Sequence, residues 1–332
     1  MLVAVGAVIT LGLVLVATAP VSTGAQPSER TRVWIDTDPA IGEPERDVDD
    51  GFALLQAFRS PELDIRGVSV VFGNAPFDQG LPIARRLVRE WGPKGLRVFG
   101  GASSAEARGK ETDATRALAE ALRQGPLTIL ALGPATNVAT LLERHPELAK
   151  RIVRIVAVAG RRPGQRFRTG TVNVKGHRDF NFELDPEAFR TLIASKVPLV
   201  LTPFEISSQV WIESEDIDRL AKGPPAAQSL ATPARAWLGL WRRLFSVNGF
   251  NPFDTLAVGY VVSPKGFGCE PLPIAIETLP DDITEPGMQG TAVPSKPYLL
   301  VSDSLKSSPR RALYCSTPPA RFKSDLLHRL LR

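Results

Sequence analysis

The sequence has few soft metal ligands: among 332 residues there are two cysteines and three histidines. Zinc sites are built from clusters of those two residue types, so a metal here is sought among oxygen ligands. The two cysteines, Cys269 and Cys315, leave two readings open, one disulfide or two separate buried thiols. Long apolar runs are missing after the first residues, so no later segment is expected to span a bilayer. Internal repeats and low-complexity linkers are also missing. Charge of one sign is not concentrated: the formal net charge is +5, and the densest basic patch, Arg161 to Arg168, is interrupted by Gly and Pro and reads as a loop. Nucleic-acid binding needs a basic stripe, so no nucleic-acid partner is expected.

What is present is core-forming material, with 43% hydrophobic and 23% charged residues. The first segment differs from the rest. Leu2 to Thr18 is almost wholly apolar and gives way to small, polar residues around Thr23-Gly24-Ala25. Residues 1–25 therefore read as a signal peptide or, uncleaved, an N-terminal anchor. Residues 26–332 read as a single domain. The expectation is an exported protein, touching a membrane only if the leader is retained.

Beyond the leader, short apolar runs alternate with amphipathic stretches. Strands are predicted at Arg32–Ile35, Gly67–Phe72, Leu96–Phe99, Leu127–Leu132, Ile152–Ala159 and Pro198–Thr202. Helices are predicted at Asp50–Arg59, Leu81–Trp91, Asp113–Gln124, Thr136–Arg151, Ala226–Phe245 and Pro252–Val262. Continuously apolar strands separated by helices predict an α/β fold, an open and mostly parallel sheet with helices on both faces. The end, from Pro271 on, reads as strands joined by turns.

Polar residues collect where these strands stop. Asp36 and Asp38 follow the first strand, Asn74 the second, and the Leu132 carbonyl precedes a Gly-Pro break after a later one. Ligands of open parallel sheets bind at the carboxyl ends of the strands, so these positions should converge. Asp47, Asp49 and Asp50 crowd the same stretch. One Asp at a helix start is explained by capping. Carboxylates at a strand end as well call for a hard cation, since crowded anions repel one another and oxygen ligands suit Ca²⁺, Mg²⁺ or Mn²⁺.

These residues carry a resemblance. Val33-Trp34-Ile35-Asp36-Thr37-Asp38-Pro39, followed by Asp49-Asp50-Gly51-Phe52-Ala53-Leu54, resembles the signature of the inosine/uridine-preferring nucleoside hydrolases, Ca²⁺-dependent N-ribohydrolases with a Rossmann-like fold. The likeness continues through Phe72-Gly73-Asn74, Leu132-Gly133-Pro134-Ala135-Thr136-Asn137, Val158-Ala159-Gly160, Asn173 to Glu187, and Asn251-Pro252-Phe253-Asp254. It implies hydrolysis of a nucleoside or related N-riboside to ribose and free base. By the same resemblance Asp38, Asp50, Asp254 and the Leu132 carbonyl are Ca²⁺ ligands, and Asp38 is the general base. Asp49 and Asn74 hold the ribose hydroxyls and the water, and Asn173, Asp179 and Asn181 bind the ribose, Asn74 and Asn181 counting among the catalytic groups. Asp36 orders the loop from behind. Family members are commonly dimers or tetramers, so a homo-oligomer is a possible state.

The match departs from the family at three points. An insertion around Glu43-Pro44-Glu45-Arg46 separates the two halves of the signature, and Arg46 could touch the ligand. Asp179 stands where the family usually has Glu. Phe253 stands where pyrimidine-active members carry a His that protonates the departing base; an aromatic there fits stacking and a purine preference, with Trp237 or Trp241 as helpers. His177 reads as a loop hydrogen-bonder rather than a replacement acid. Glu205 and Ser207 are candidate pocket-lining residues. The alternative reading is an exported Ca²⁺- and riboside-binding protein with little turnover.

Overall fold

The computed structural model describes residues 2–4, 30–170, 176–283, 294–305 and 308–332. The leader, apart from Leu2 to Ala4, and the expected ribose contact Asn173 lie outside the described residues. Among the described residues no helix is long and apolar enough to cross a membrane.

Among the described residues there are eleven strands: β1 (Thr31–Thr37), β2 (Leu63–Val70), β3 (Val98–Gly100), β4 (Leu127–Ala131), β5 (Ile152–Ala157), β6 (Leu199–Leu201), β7 (Ile212–Glu213), β8 (Gly249–Phe250), β9 (Gly268–Pro280), β10 (Ser295–Val301) and β11 (Arg311–Thr317). Nine form one sheet in the order β10-β9-β11-β6-β5-β4-β1-β2-β3, while β7 and β8 pair separately. From β3 to β11 every pairing is parallel; β9 and β10 add an antiparallel edge. The predicted α/β sheet is thus observed. Its middle strands are mostly apolar because both faces are covered. One face packs Phe52, Leu55, Leu256 and Trp241, the other Leu118, Val138, Phe189 and Leu192.

Strand order reverses at β1, which lies between β2 and β4. The chain leaving β1 and the chain leaving β4 turn away to opposite sides, opening a crevice at their carboxyl ends. The register aligns Asp36 with Ala131 on one side and Ser69 on the other. That alignment brings the segments after these strands to one level.

Two elements differ from expectation. The helix predicted over Thr136–Arg151 ends at Arg144, and Pro146–Arg151 forms a 3₁₀ turn. Pro146 has no N–H for the helical ladder and disfavours helical backbone at His145, so the helix stops there. The helix predicted at Leu81–Trp91 begins a turn earlier, at Phe77, and carries Pro82 inside it. Cys269 and Cys315 are directly opposed on β9 and β11 and form a disulfide, with Cα atoms 4.0 Å apart. That settles the reading left open by the sequence.

Candidate active site

A cavity of about 330 Å³ opens at the crevice. One part of its wall is acidic: Asp47, Asp49 and Asp254, with Asn74 and Leu132. Asp38 and Asp50 are buried directly behind this wall and tied to it. The Asn74 amide donates to Asp38 Oδ2 at 2.7 Å, and the Asn74 side chain donates to Asp50 Oδ2 at 3.2 Å. Asp50 Oδ1 also accepts from the Asp38 amide at 3.1 Å and from the Thr37 hydroxyl.

Glycine makes the approach to Asp38 feasible. A Cβ on Gly73 would come within 1.9 Å of Asp38 Oδ2, and one on Gly133 within 2.8 Å of Oδ1. The carboxylate therefore sits between two loops that can only close around it without side chains. Neither glycine was singled out for this role from the sequence, although both lie within quoted motifs.

The acids are crowded as well as buried. Oxygens of Asp49, Asp50 and Asp254 all lie within 4.8 Å of one another. Burial pushes Asp38, Asp49 and Asp254 well above the ordinary carboxylate range, and the neighbouring carboxylates add to this. Burial likewise raises Asp50, and lifts Asp47 to about 6. Asp38 Oδ1 and Asp254 Oδ2 are buried with no hydrogen-bond partner. Such orphaned oxygens are costly unless something binds them. An all-oxygen set of this kind fits a hard divalent cation, which would relieve both the repulsion and the unmet oxygens. Asp49 stands inside this cluster, whereas the resemblance assigns it to the sugar.

Asp36 does not line the cavity. Its Oδ1 accepts from Ser69, which accepts from Trp34 Nε1 at 2.7 Å, and from Asn137 Nδ2 at 2.8 Å. Asn137 in turn holds the Ala102 amide and the Val70 carbonyl. Asp36 thus ties three strand ends together. Burial raises its pKa to about 7.

Asp179 and Asn181 also line the cavity, at the start of the short helix Phe180–Leu184. Asp179 Oδ2 accepts the Gly160 amide at 2.8 Å, and burial raises this carboxyl to about 7. Asn181 Nδ2 donates to the Leu132 carbonyl at 2.6 Å and the Val158 carbonyl at 3.2 Å. The Leu132 carbonyl keeps a second lone pair.

The remaining wall is aromatic: Phe167, His177, Phe204, Trp237, Trp241, Phe245 and Phe253. Phe253 stacks on Phe204 at 6.0 Å between centroids and lies 6.4 Å from Trp241. His177 lies edge-on to Phe245 at 5.0 Å; its Nε2 is 2.9 Å from Thr169 Oγ1, and burial lowers its pKa. His177 is therefore part of the wall as well as a loop hydrogen-bonder. Trp237 Nε1 is buried without a partner. Glu205 and Ser207 do not line the cavity, against expectation. Glu205 accepts from Tyr314, Arg162 and Gln165, while Ser207 turns its hydroxyl back to the Pro203 carbonyl. The inserted segment does reach the site: Glu45 and Arg46 line the cavity mouth, Arg46 donating to the Asn74 carbonyl at 3.3 Å. Glu45 pairs with Arg243 on the far side, at the end of the helix Pro225–Phe245.

Residues 33–296 match the family of inosine-uridine preferring nucleoside hydrolases. The chain belongs to this family. A pyrimidine-specific ribonucleoside hydrolase of Citrobacter koseri is 27% identical over 259 residues, covering 69% of this chain and 81% of its own. A non-specific ribonucleoside hydrolase of Escherichia fergusonii is 26% identical, over 75% of this chain and 84% of its own. Among solved structures, a plant nucleoside hydrolase superposes with a TM-score of 0.73 at 21% identity, covering 91% of this chain and 99% of the other. A purine-preferring ribonucleoside hydrolase from Gardnerella vaginalis gives 0.69 at 19% identity, covering 90% and 98%. This nucleoside hydrolase family member is an enzyme acting on N-glycosyl bonds of small-molecule nucleosides, in a family that is generally metal-dependent. The reading as a binder with little turnover is not favoured.

Proposed function

We propose that this chain hydrolyses ribonucleosides, with a preference for purines, using Ca²⁺ held by Asp38, Asp50, Asp254 and the Leu132 carbonyl, with Asp38 as general base. The observation that carries this reading is a pair of unmet buried oxygens: Asp254 Oδ2, in the cluster with Asp49 and Asp50, and Asp38 Oδ1, whose residue is tied to Asp50 through its own amide and through Asn74. Bound there, Ca²⁺ would orient the ribose hydroxyls and the attacking water and lower the pKa of that water.

The chain's own groups do the rest. Asp38, fixed by the Asn74 amide between Gly73 and Gly133, accepts the proton of the water. Asn74 positions that water, and Asp49 the ribose hydroxyls. Asp179 and Asn181 hold the sugar. As the glycosidic bond breaks, positive charge builds on the ribose, and the surrounding carboxylate and amide oxygens stabilise it. The bonding electron pair passes to the base, which takes its proton from solvent and is received by Phe253 and its aromatic neighbours. A broad ring wall supports the larger purine. Export is part of the proposal: the apolar leader suggests it, and a disulfide persists best in an oxidising compartment.

The test is ribose release from a panel of purine and pyrimidine nucleosides, with Ca²⁺ or a chelator, beside Asp38→Ala. Release that requires both Ca²⁺ and Asp38, faster from purines, is the expected result. Undiminished release in chelator or from Asp38→Ala would overturn the assignment.

A further inference from the structure

The cavity combines two features that a neutral nucleoside does not use fully. Of its charged lining, Glu45 is paired with Arg243, Arg178 with Glu183, and Asp179 lies in the field of Arg161 and Lys296. That leaves Asp47, Asp49 and Asp254, with Asp38 and Asp50 buried directly behind, against Arg46. A bound divalent cation and that one guanidinium do not balance these five carboxylates when they are ionised. Phe253 and Asp254 are consecutive, so the aromatic wall begins where the acidic wall ends. The base subsite therefore lies in a negative field and is faced by aromatic rings, and the negative faces of such rings attract cations.

The second feature concerns the proton. A neutral base leaves readily only if something protonates it. The described residues of the ring wall are Phe and Trp, which cannot, and His177. Burial keeps His177 uncharged at neutral pH, and its Nε2 is engaged with Thr169. A heterocycle already carrying a fixed positive charge needs no proton to leave.

We propose that the substrates best matched to this site are N-ribosides with a quaternised, permanently cationic heterocycle, such as an N-ribosylpyridinium or an N7-alkylated purine riboside. The inference rests on the N-riboside hydrolase reading and narrows its substrate class. The chemistry balances without an added acid. The C1′–N bond breaks with its electron pair passing to the nitrogen, which leaves a neutral heterocycle. The water oxygen bonds to C1′, and the proton it loses goes to Asp38 and then to solvent. An uncharged His177 also presents no repulsion to the cation.

The experiment measures kcat and KM on the full chain with Ca²⁺ for an N-ribosylpyridinium, its uncharged dihydropyridine counterpart, inosine and uridine. Phe253→Leu and Phe204→Leu are measured alongside, with thermal melts to establish folding. The expected KM for the pyridinium riboside is on the order of tenfold below that for inosine, the scale of a desolvated cation–ring contact. The dihydropyridine riboside is expected to be a poor substrate. In either folded variant the pyridinium KM rises by a similar factor, and the inosine KM by less. Cleavage of inosine or uridine with no KM advantage for the cation would overturn this inference and leave the hydrolase intact. So would a variant that raises both KM values equally. No ribose from any of the four would overturn the hydrolase reading as well.

Discussion

Two buried acidic clusters lie within this fold and are built on opposite plans. Around Arg161, every acid has a cation. Asp282 is 2.7 Å from Arg161 and 3.1 Å from Lys296, and Glu183 is 2.8 Å from Lys296 and 3.7 Å from Arg161. Arg161 is sandwiched by Phe167, 4.0 Å from its ring centre, and Tyr298, at 5.1 Å. Burial alone would raise Asp282, but its bond from Lys296 and the charge of Arg161 hold it below its ordinary value. Around Asp38, Asp50 and Asp254 burial has the same sign and nothing in the chain opposes it sufficiently, so these carboxyls rise. The first, closed cluster matches its acids with cations of the chain and joins the end of β5 to β10, although Arg161 Nε and Nη2 meet no hydrogen-bond partner. The second, open cluster has no ion pair with a cation of the chain among the described residues, and it could hold a metal ion. The same residue type is thus matched by the chain's own cations in one place and unmatched in the other, and the difference lies in the cationic side chains beside it rather than in the acid.

Removing one group from each cluster should separate the two roles. Asp254→Asn keeps the shape and loses a charge. Its kcat/KM for the best riboside is expected to fall by about a thousandfold or more, roughly 4 kcal/mol of transition-state stabilisation. Without added metal its melting temperature should equal or exceed that of the parent, because a repulsive neighbour is gone. A melt several degrees lower in chelator would show that Asp254 is structural. Arg161→Met should do the reverse. It leaves Asp282 and Glu183 with less counter-charge, and breaking a buried pair costs about 3–5 kcal/mol. Urea denaturation measures this, and a loss under about 1 kcal/mol, the surface-pair scale, would erase the contrast.

Added metal should stabilise only through the open cluster. Ca²⁺ at a hundred times its dissociation constant is expected to raise stability by about 2.7 kcal/mol. Arg161→Met should keep that increment, while Asp50→Asn should lose most of it. Thermal melts with and without chelator give the comparison. An equal increment in Asp50→Asn would place the ion elsewhere.

The open cluster was the more legible of the two in the sequence, because most of its acids are adjacent along the chain or sit at strand ends, while Asp254, in the first turn of a distant helix, entered only through the resemblance. Asp36, Asp38, Asp49 and Asp50 fall within one strand–loop–helix passage, and parallel-sheet geometry brings Asn74 and Leu132 to the same level. The closed cluster was not legible. Arg161 stood out only as part of a basic patch, and its partners Glu183, Asp282 and Lys296 come from separate segments. The ring wall was partly legible. Phe253, Trp237 and Trp241 were picked out by position, whereas His177 joins them through a loop contact with Phe245 that no periodicity encodes. The disulfide depended on the register of β9 against β11, which a separation of 46 residues does not specify. Glu205 was misplaced because position after a strand does not say which way a side chain turns; here Tyr314 and Arg162 draw it away.

Asp179 stands between the two plans, and it gives the smallest effect and the finest test. It faces the cavity, yet Arg161 and Lys296 lower its pKa while burial raises it, leaving it at about 7. The folded chain therefore binds this proton more tightly than the unfolded chain, whose Asp titrates near 3.8. Between those two values stability falls as pH rises; below about 3.8 and above about 7 this group contributes no slope. One proton limits the slope to about 1.4 kcal/mol per pH unit, so the step from pH 7 to pH 6 should gain at most about 1 kcal/mol. Asp179→Asn keeps an oxygen for the Gly160 amide and cannot titrate, so subtracting its stability isolates the group from the other buried acids. Measured in chelator, the parent should gain on Asp179→Asn as pH drops from 8 to 5. A difference that stays flat over that range would mean that Arg161 and Lys296 already hold Asp179 ionised, and that it belongs to the closed cluster.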